Sequence, residues 1–412
     1  MKYSNLTIEQ KILLYLLSAD FNRDYGDFSL TETDLKTADY NAVIKESILQ
    51  AVPLFALNSA SKLKDFIDEN IFSKWINLGG YVLTNNQKVV AAQKELTAAL
   101  EKAGFSYVII KGLSAAQNYP SPSLRALGDV DFLILPKDKE KVAKLVKSLG
   151  YTGEDVGHIC HVTFQKDKVD IEMHFEVAGI PNGEVGEKVK SYLSDLPEKG
   201  IRITVSEETF MAPPQDLNGL VFLLHMQHHM LSEGLGLRHL LDWAYYVDRI
   251  GGTKEEEKFI KIVQDIGLFV YAGVITKVCH NLFGSTLPAW AEDADEEVSE
   301  TVALEILSYG NFGAKDYTAK FSGTLVSNRG KNGTKDGKVK NGFIAVHNAV
   351  KARSPKAYKW VIPYPFLFIY EVARYGVLSA TGKRPSVKKI SASASERKRI
   401  YEKLKIFETE KQ

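Results

Sequence analysis

Asp129 and Asp131 stand between an apolar run at 107–110, which ends in Lys111-Gly112, and a second apolar run at 132–135. The pattern reads strand, polar proline-containing loop, strand, with both carboxylates at the start of the second strand. Residues two apart in an extended chain share a face and lie roughly 6.6 Å apart, so the two acids converge. Like charges so placed need a cation, an arginine or solvent. Arg125, four residues upstream, is one source; Mg²⁺, a hard cation that binds carboxylate and phosphate oxygens together, is another. Without such a partner Asp129 would be a turn or cap residue and Asp131 a solvated strand end. Residues 168–177, KVDIEMHFEV, add to the constellation, with Val169, Ile171, Met173 and Phe175 on one face and Asp170, Glu172, His174 and Glu176 on the other. That period predicts a half-buried strand. In one sheet with the first pair it would bring a third carboxylate, Glu172 or Asp170, and complete a cage for two metal ions about 4 Å apart of the kind used in phosphoryl chemistry.

Lys111-Gly112, Tyr119-Pro120, Arg125 and Gly128-Asp129-Val130-Asp131-Phe132 together resemble the polymerase-β-type nucleotidyltransferase superfamily, and within it a bacterial group of uncharacterised nucleotidyltransferases. Glu172-Met173-His174-Phe175 is similar to the acid, apolar, His, aromatic element of that group. His225, His228, His229, Leu237-Arg238 and Asp242 are similar to its histidine-bearing helical stretch, and 360–363, from Trp360 to Pro363, to an element near its end. The likeness is strongest over 111–135 and extends more thinly over most of the chain.

The resemblance implies a small mixed sheet, a nucleoside triphosphate as co-substrate and Mg²⁺ or Mn²⁺ as cofactor. It implies Asp129, Asp131 and Glu172 as metal ligands, with Asp170 the alternative third acid; Glu172 is favoured because its spacing to His174 matches the group. Lys111, Gly112, Ser114, Arg125, His174 and Arg238 are the implied nucleotide contacts. One departure is clear. Many members of the superfamily open this unit with Gly-Ser, whose backbone N–H groups and hydroxyl grip phosphates, whereas here Lys-Gly stands there and Ser114 follows two residues on. Lys111 would meet phosphate as a point charge, and Gly112 would allow close backbone approach.

A chain of 412 residues predicts more than one structural unit. Apolar residues are 45% and charged residues 25%, values of an ordinary globular protein with material for a large core. The net charge of +1 gives no global attraction to nucleic acid or anionic membrane, so a polyanion must be met by a local patch. Two cysteines, Cys160 and Cys279, far apart, predict no disulfide scaffold and a reducing, cytoplasmic setting. The first residues lack the basic-then-apolar order of a signal peptide, and no run of ~18 apolar residues predicts a membrane span.

The elements that must position the site follow from period and punctuation. Helical patterns at 7–18, 30–57, 63–78 and 82–103 predict an N-terminal helical region over 1–103. Strands mixed with short helices over 104–205 predict the nucleotidyltransferase-like core. It includes an amphipathic helix at 138–149 stopped by Gly150, a hairpin turning at Lys166-Asp167, and a strand at 201–205 on the sheet edge. His158, Cys160 and His161 are too tightly spaced for one zinc and lack a second ligand pair; His161 is expected near the substrate instead. Pro213-Pro214 marks a boundary, and helices at 215–231, 237–247, 254–284, 296–309 and 395–407 make 206–412 a C-terminal helical region. Residues 327–342, rich in Gly, Asn and Lys, predict a mobile loop, and the aromatic stretch 360–378 predicts a segment packed on the helices, with contact at a membrane interface as its alternative. The fold class is α+β, a small mixed sheet flanked by two helical regions.

Function then reads as transfer of a nucleoside monophosphate from a triphosphate to an acceptor, releasing pyrophosphate. The acceptor is left open; a small molecule, a glycan or a protein is favoured over long nucleic acid by the near-zero charge. Two rivals stand beside it: a catalytically inactive regulatory or binding protein of the same fold, suggested by Lys-Gly in place of Gly-Ser, and a metal phosphohydrolase centred on His225, His229 and Asp242, with His225 and His229 four apart on one helical face and Arg238 and Asp242 at the same spacing on the next helix.

Overall fold

The computed structural model describes residues 3–153, 160–316, 363–381 and 384–408, with 318, 322, 343, 346–347, 350 and 353–354 between them. His158, the loop predicted at 327–342 and residues 360–362 lie outside the described residues.

The chain begins as helices whose ends are set by side-chain caps. Thr7 and Gln10 close a capping box at the start of α1 (Ile8–Leu17), and Thr31 and Asp34 do the same for α2 (Glu32–Thr37). The stretch 30–57, read as one helical pattern, is three helices, because Asp39 caps afresh to begin α3 (Tyr40–Leu49) and Pro53 opens α4 (Pro53–Ala60). The opposite happens next. The patterns at 63–78 and 82–103 merge into α5 (Glu69–Ala103), a 35-residue helix that runs through Gly79-Gly80. Gly79 is there for approach: a Cβ at that position would stand 2.3 Å from Leu57 of α4. Gly104, at φ +74°, ends the helix in the left-handed conformation that glycine takes freely.

Four strands follow in the spatial order β1-β2-β4-β3: β1 (Tyr107–Ile109), β2 (Asp129–Ile134), β3 (His161–Lys166) and β4 (Val169–His174). β1 and β3 run antiparallel to their neighbours, while β2 and β4 are parallel. Between β1 and β2 lies the short α6 (Gly112–Ala116), and between β2 and β3 lies α7 (Lys139–Ser148). The hairpin turn falls one residue later than its sequence suggests, at Asp167-Lys168, both at positive φ as a two-residue turn requires.

Alternation along these strands sorts side chains into two cores. Tyr107, Ile109, Val130, Phe132, Ile134, Ile171 and Met173 pack with α7 and the second half of α5. Val108, Ile110 and Leu133, on the other face, join the core of the helical region. Because period 2 is strict, the polar residues of β2 and β4 must share that second face and look toward the helices.

After α8 (Glu184–Leu193), the strand at 201–205 departs from expectation. β5 (Ile201–Val205) pairs with β6 (Glu208–Ala212) as a separate two-stranded sheet rather than an edge of the first, and Val205, Phe210 and Ala212 complete the core under α5. The helices α9 (Gln215–Ser232), α10 (Leu237–Ile250), α11 (Lys254–Asp265), α12 (Phe269–Phe283), α13 (Ala289–Glu292) and α14 (Glu296–Tyr309) then form the large helical core, which also takes in residues of α1, α3 and α4. Trp243 lies at its centre, fully buried, with its indole N–H donating to Thr276 at 2.9 Å. α15 (Pro363–Ala380) is not packed on this core as the sequence suggested: only Glu371 of its residues is buried, and Phe366, Ile369, Tyr370 and Val377 are exposed. α16 (Val387–Lys403) docks through Ile400, Tyr401 and the buried Arg397, which reaches Glu305 at 2.8 Å. The α+β class is borne out.

Candidate active site

Register puts the acids together. In the parallel pair β2–β4, Asp131 stands opposite Glu172 and Asp129 opposite Asp170. One carboxylate oxygen from each of Asp129, Asp131 and Glu172 lies within 4.8 Å of the others. Asp170 faces the same way but is left out of the group and off the cavity wall; Gln165, opposite it on β3, donates to its Oδ1 at 2.7 Å. Glu172 is therefore the third acid that the sheet presents.

Lys111 leaves the end of β1 with φ +57° and ψ −138°, a conformation costly to any residue with a Cβ. The turn aims its Nζ back at the sheet, 2.6 Å from Asp131 Oδ1. His174 approaches the same carboxylate from β4, its Nε2 2.9 Å from Asp131 Oδ1 and 3.3 Å from Glu172 Oε2. His161, expected near the substrate, is not on the cavity wall; its Nε2 lies 3.9 Å from Glu172.

The electrostatics follow. Burial opposes ionisation of Asp131, but Lys111 and His174 outweigh it and hold the carboxyl well below its ordinary range. Asp129 feels the reverse: the charge on Asp131 and then its own burial push it up to about 6, against the pull of Lys111. Burial would lower His174, yet its bonds to Asp131 and Glu172 raise it on balance. Two neighbouring acids driven apart in this way mark a place where cationic charge is in demand.

The carboxylates open into a cavity of about 330 Å³ whose far wall is α9 and α10. Gly112, with Lys111, lines its near side, and Arg238 reaches it from α10 with a buried Nε that has no hydrogen-bond partner among the described residues. Arg125 also lines it, but its guanidinium is committed to Asp242, Nε to Oδ1 at 2.7 Å and Nη2 to Oδ2 at 2.8 Å. Tyr119 donates to the same carboxylate. Thus the direct pairing of Arg125 goes to Asp242 and not to the D-x-D pair, as its spacing had suggested, and Asp129 meets its charge only as a minor influence; a buried arginine binds best where two parallel N–H donors meet one carboxylate. The loop that carries it is tied to α5, where Asn86 accepts from Leu127 N at 2.8 Å and donates to Arg125 O at 3.0 Å.

Ser114 is not brought to the cavity. It lies two residues into α6, about 200° around the helix from Gly112, fully buried with its hydroxyl away from the opening. The cluster of His225, His229 and Asp242 does not form either, since Arg125 holds the aspartate. In its place His239 of α10, missed in the sequence, joins the two α9 histidines, with ligand nitrogens within 4.8 Å of one another. Burial first, and then nearby positive groups including Lys111, pull all three imidazoles well below the ordinary histidine value. Phe312, also missed, covers them from beyond α14. His239 sits beside Arg238 in the sequence, so its position was available; the crossing of α9 and α10 was not.

The cavity wall carries five carboxylates, Asp129, Asp131, Glu172, Glu233 and Asp242, against three cationic side chains, Lys111, Arg125 and Arg238. A bare polyphosphate would be repelled by the acidic strands, whereas hard divalent cations fit their oxygen donors. No helix among the described residues is long and apolar enough to cross a membrane. Comparison with curated proteins finds no match. Over residues 39–284, more than half of its length, the sequence matches the model of a family described as uncharacterised nucleotidyltransferase, and the chain belongs to that family.

Proposed function

We propose that this protein transfers a nucleoside monophosphate from a nucleoside triphosphate to an acceptor nucleophile, with Asp129, Asp131 and Glu172 as the ligands of divalent cations, Mg²⁺ by preference. The observation that carries the reading is the in-register trio of carboxylates at a cavity whose other walls bring Lys111 and Arg238. Bound there, two such cations would orient the triphosphate and offset charge on the attacking and leaving oxygens. The residues of the chain divide the remaining work. Lys111 neutralises Asp131 in the metal-free protein and, with the carboxylate engaged by cations, would offer its ammonium to a phosphate oxygen. Arg238 supplies the partner-free donor for the anionic end. His174, locked between Asp131 and Glu172, fixes the orientation of both acids. Glu172, half-buried, draws the proton from an acceptor hydroxyl as the acceptor oxygen attacks the α-phosphorus and pyrophosphate leaves.

The acceptor belongs to the small-molecule, glycan or protein classes rather than long nucleic acid: the cavity is compact and its wall carries more acids than bases. Calorimetric titration with non-hydrolysable analogues of ATP, GTP, CTP and UTP, with and without Mg²⁺, tests the reading. Mg²⁺-dependent binding that vanishes in the D129N/D131N double variant is expected. Absence of binding by every analogue at millimolar concentration would overturn it.

A further inference from the structure

His225, His229 and His239 are not needed by the chemistry above, yet they are gathered in the same cavity. His225 and His229 stand one turn apart on α9, ring centroids 4.2 Å apart, and the crossing of α10 brings His239 to 5.4 and 5.7 Å from them. We propose that these three histidines form a second metal site, selective for a divalent transition ion of the zinc class and separate from the carboxylate trio.

Three observations carry this. The first is unmet polarity. Among the described residues, neither ring nitrogen of His239, a residue 4% exposed, makes a well-formed hydrogen bond, nor does Nδ1 of His229; the Gly236 backbone exerts only a weak pull on the His239 ring. Buried polar atoms are rarely left so, because the hydration they give up is then not replaced by any hydrogen bond. Asp242, three residues along α10 from His239, would be the natural acceptor, and Arg125 and Tyr119 already occupy it.

The second is ligand geometry. Nitrogens around a tetrahedral zinc stand roughly 3.3 Å apart, given Zn–N bonds of about 2.0–2.1 Å. Ligand atoms already within 4.8 Å need only small ring rotations to reach that spacing. Three imidazoles leave a fourth position facing the cavity, the pattern of an open rather than a purely structural site.

The third is the covering residue. Phe312 lies 4.7 Å from the ring of His229 and 5.7 Å from that of His239, and it does so at φ +54° and ψ +33°, a left-handed backbone that an aromatic residue seldom adopts. Such strain persists where the surroundings hold it in place; the residue, itself 40% exposed, gives the imidazoles an apolar neighbour on one side.

Chemical type separates the two sites. Carboxylates suit Mg²⁺, imidazole nitrogens suit zinc and its neighbours, and the excess of acids on the wall makes both cations tolerable. Glu172 supplies the control, because it belongs to both other ligand groups, with Asp129 and Asp131 and with His161 and His174.

The test uses full-length protein stripped by chelator and titrated with Zn²⁺ and with Co²⁺, read by bound-metal content and by the visible absorption of tetrahedral Co²⁺. One ion per chain with the absorption of tetrahedral Co²⁺ is expected in the wild type and in D131N/E172Q, whatever further ion the carboxylates of the wild type hold. Binding at least about 100-fold weaker is expected in H229Q and H239Q, more than loss of an outer partner causes. If H239Q does not fold, as judged by circular dichroism, H225Q and H229Q decide the matter. Stoichiometric binding that survives in both, or that is lost only in D131N/E172Q, overturns the site, as does absence of stoichiometric binding in the wild type. None of these readouts involves nucleotide, so the result stands apart from the transferase reading.

Discussion

Arg125 and Asp242, 117 residues apart in sequence, meet in a two-point ion pair inside the protein. Arg125 precedes the D-x-D strand and Asp242 lies on α10, the helix that carries Arg238 and His239, so this contact sets one wall of the cavity against the other. The pair is almost wholly buried, at 5% and 9% side-chain exposure. Removing one member leaves the other charged in a dry place, which costs about 3–5 kcal/mol. Asp242→Ala should therefore lower the unfolding free energy by that order, measured by urea denaturation. Arg125→Lys, which keeps charge but loses the fork, should cost less while still weakening nucleotide binding. Full stability in Asp242→Ala would show that the contact does not join the two walls.

Glu172 and Asp170 offer a sharper test of the trio, because both are acids on one face of one strand. Only Glu172 stands beside Asp131 and faces the cavity. Glu172→Gln should reduce Mg²⁺-dependent nucleotide binding by an order of magnitude or more, and Asp170→Asn should change it by less than about twofold. Calorimetry on the two variants separates them, and the reverse ranking would move the third ligand to Asp170.

The pH dependence of metal binding follows from Asp129. Its carboxyl is raised to about 6 by Asp131 and burial, so in the metal-free protein it holds a proton below that pH and releases it above. A cation must displace that proton. Apparent Mg²⁺ affinity should thus fall about tenfold per pH unit as pH drops below about 6, and level off above it. Asp129→Asn should abolish this slope along with most of the affinity. An affinity that improves as pH falls would contradict the assignment.

Much of this site was legible in the sequence because it depends on period 2. The faces of β2 and β4 were fixed by alternation, and Asp129, Asp131, Glu172 and His174 share a face as their spacing required. What alternation cannot supply is the partner across the cavity. The Arg125–Asp242 pair and the His225, His229, His239 cluster depend on how α9 crosses α10, which has no local signature. Ser114 failed for a local reason, the helical turn of α6 that rotates it away. The separate β5–β6 hairpin was missed because β6 ends at Ala212, directly before Pro213-Pro214, a pair that reads as a boundary rather than as the end of a strand.

Lys111 sits in a backbone conformation that favours glycine. Its charge and its strain can be separated by substitution. Lys111→Gly removes the ammonium and relieves the backbone, whereas Lys111→Ala removes the ammonium alone. Both should lose the contact to Asp131 and weaken nucleotide binding to a similar degree. Lys111→Gly should nonetheless be the more stable of the two by about 1 kcal/mol, the order of the penalty for a left-handed residue with a Cβ. Thermal melts of the two variants side by side give the comparison, and equal stabilities would mean that the conformation carries no strain.

Gly219 of α9 lies under the Tyr246 ring of α10, and a Cβ there would stand 2.0 Å from the tyrosine Oη and 2.4 Å from Cζ. The ring cannot step aside, since it is fully buried against Trp243, Phe222 and Phe259, and its hydroxyl donates to Gln215 O at 3.0 Å. Gly219→Ala must therefore push α9 away from α10. Overpacking of this kind costs about 1–3 kcal/mol, and here it would also separate His225 and His229 from His239. The variant should melt at a lower temperature and, while still folded, bind Zn²⁺ more weakly than the wild type by a larger factor than it loses Mg²⁺-dependent nucleotide binding, because the carboxylates stand on strands that the shift leaves in place. Equal losses at both sites would mean that the helices and the sheet move as one body.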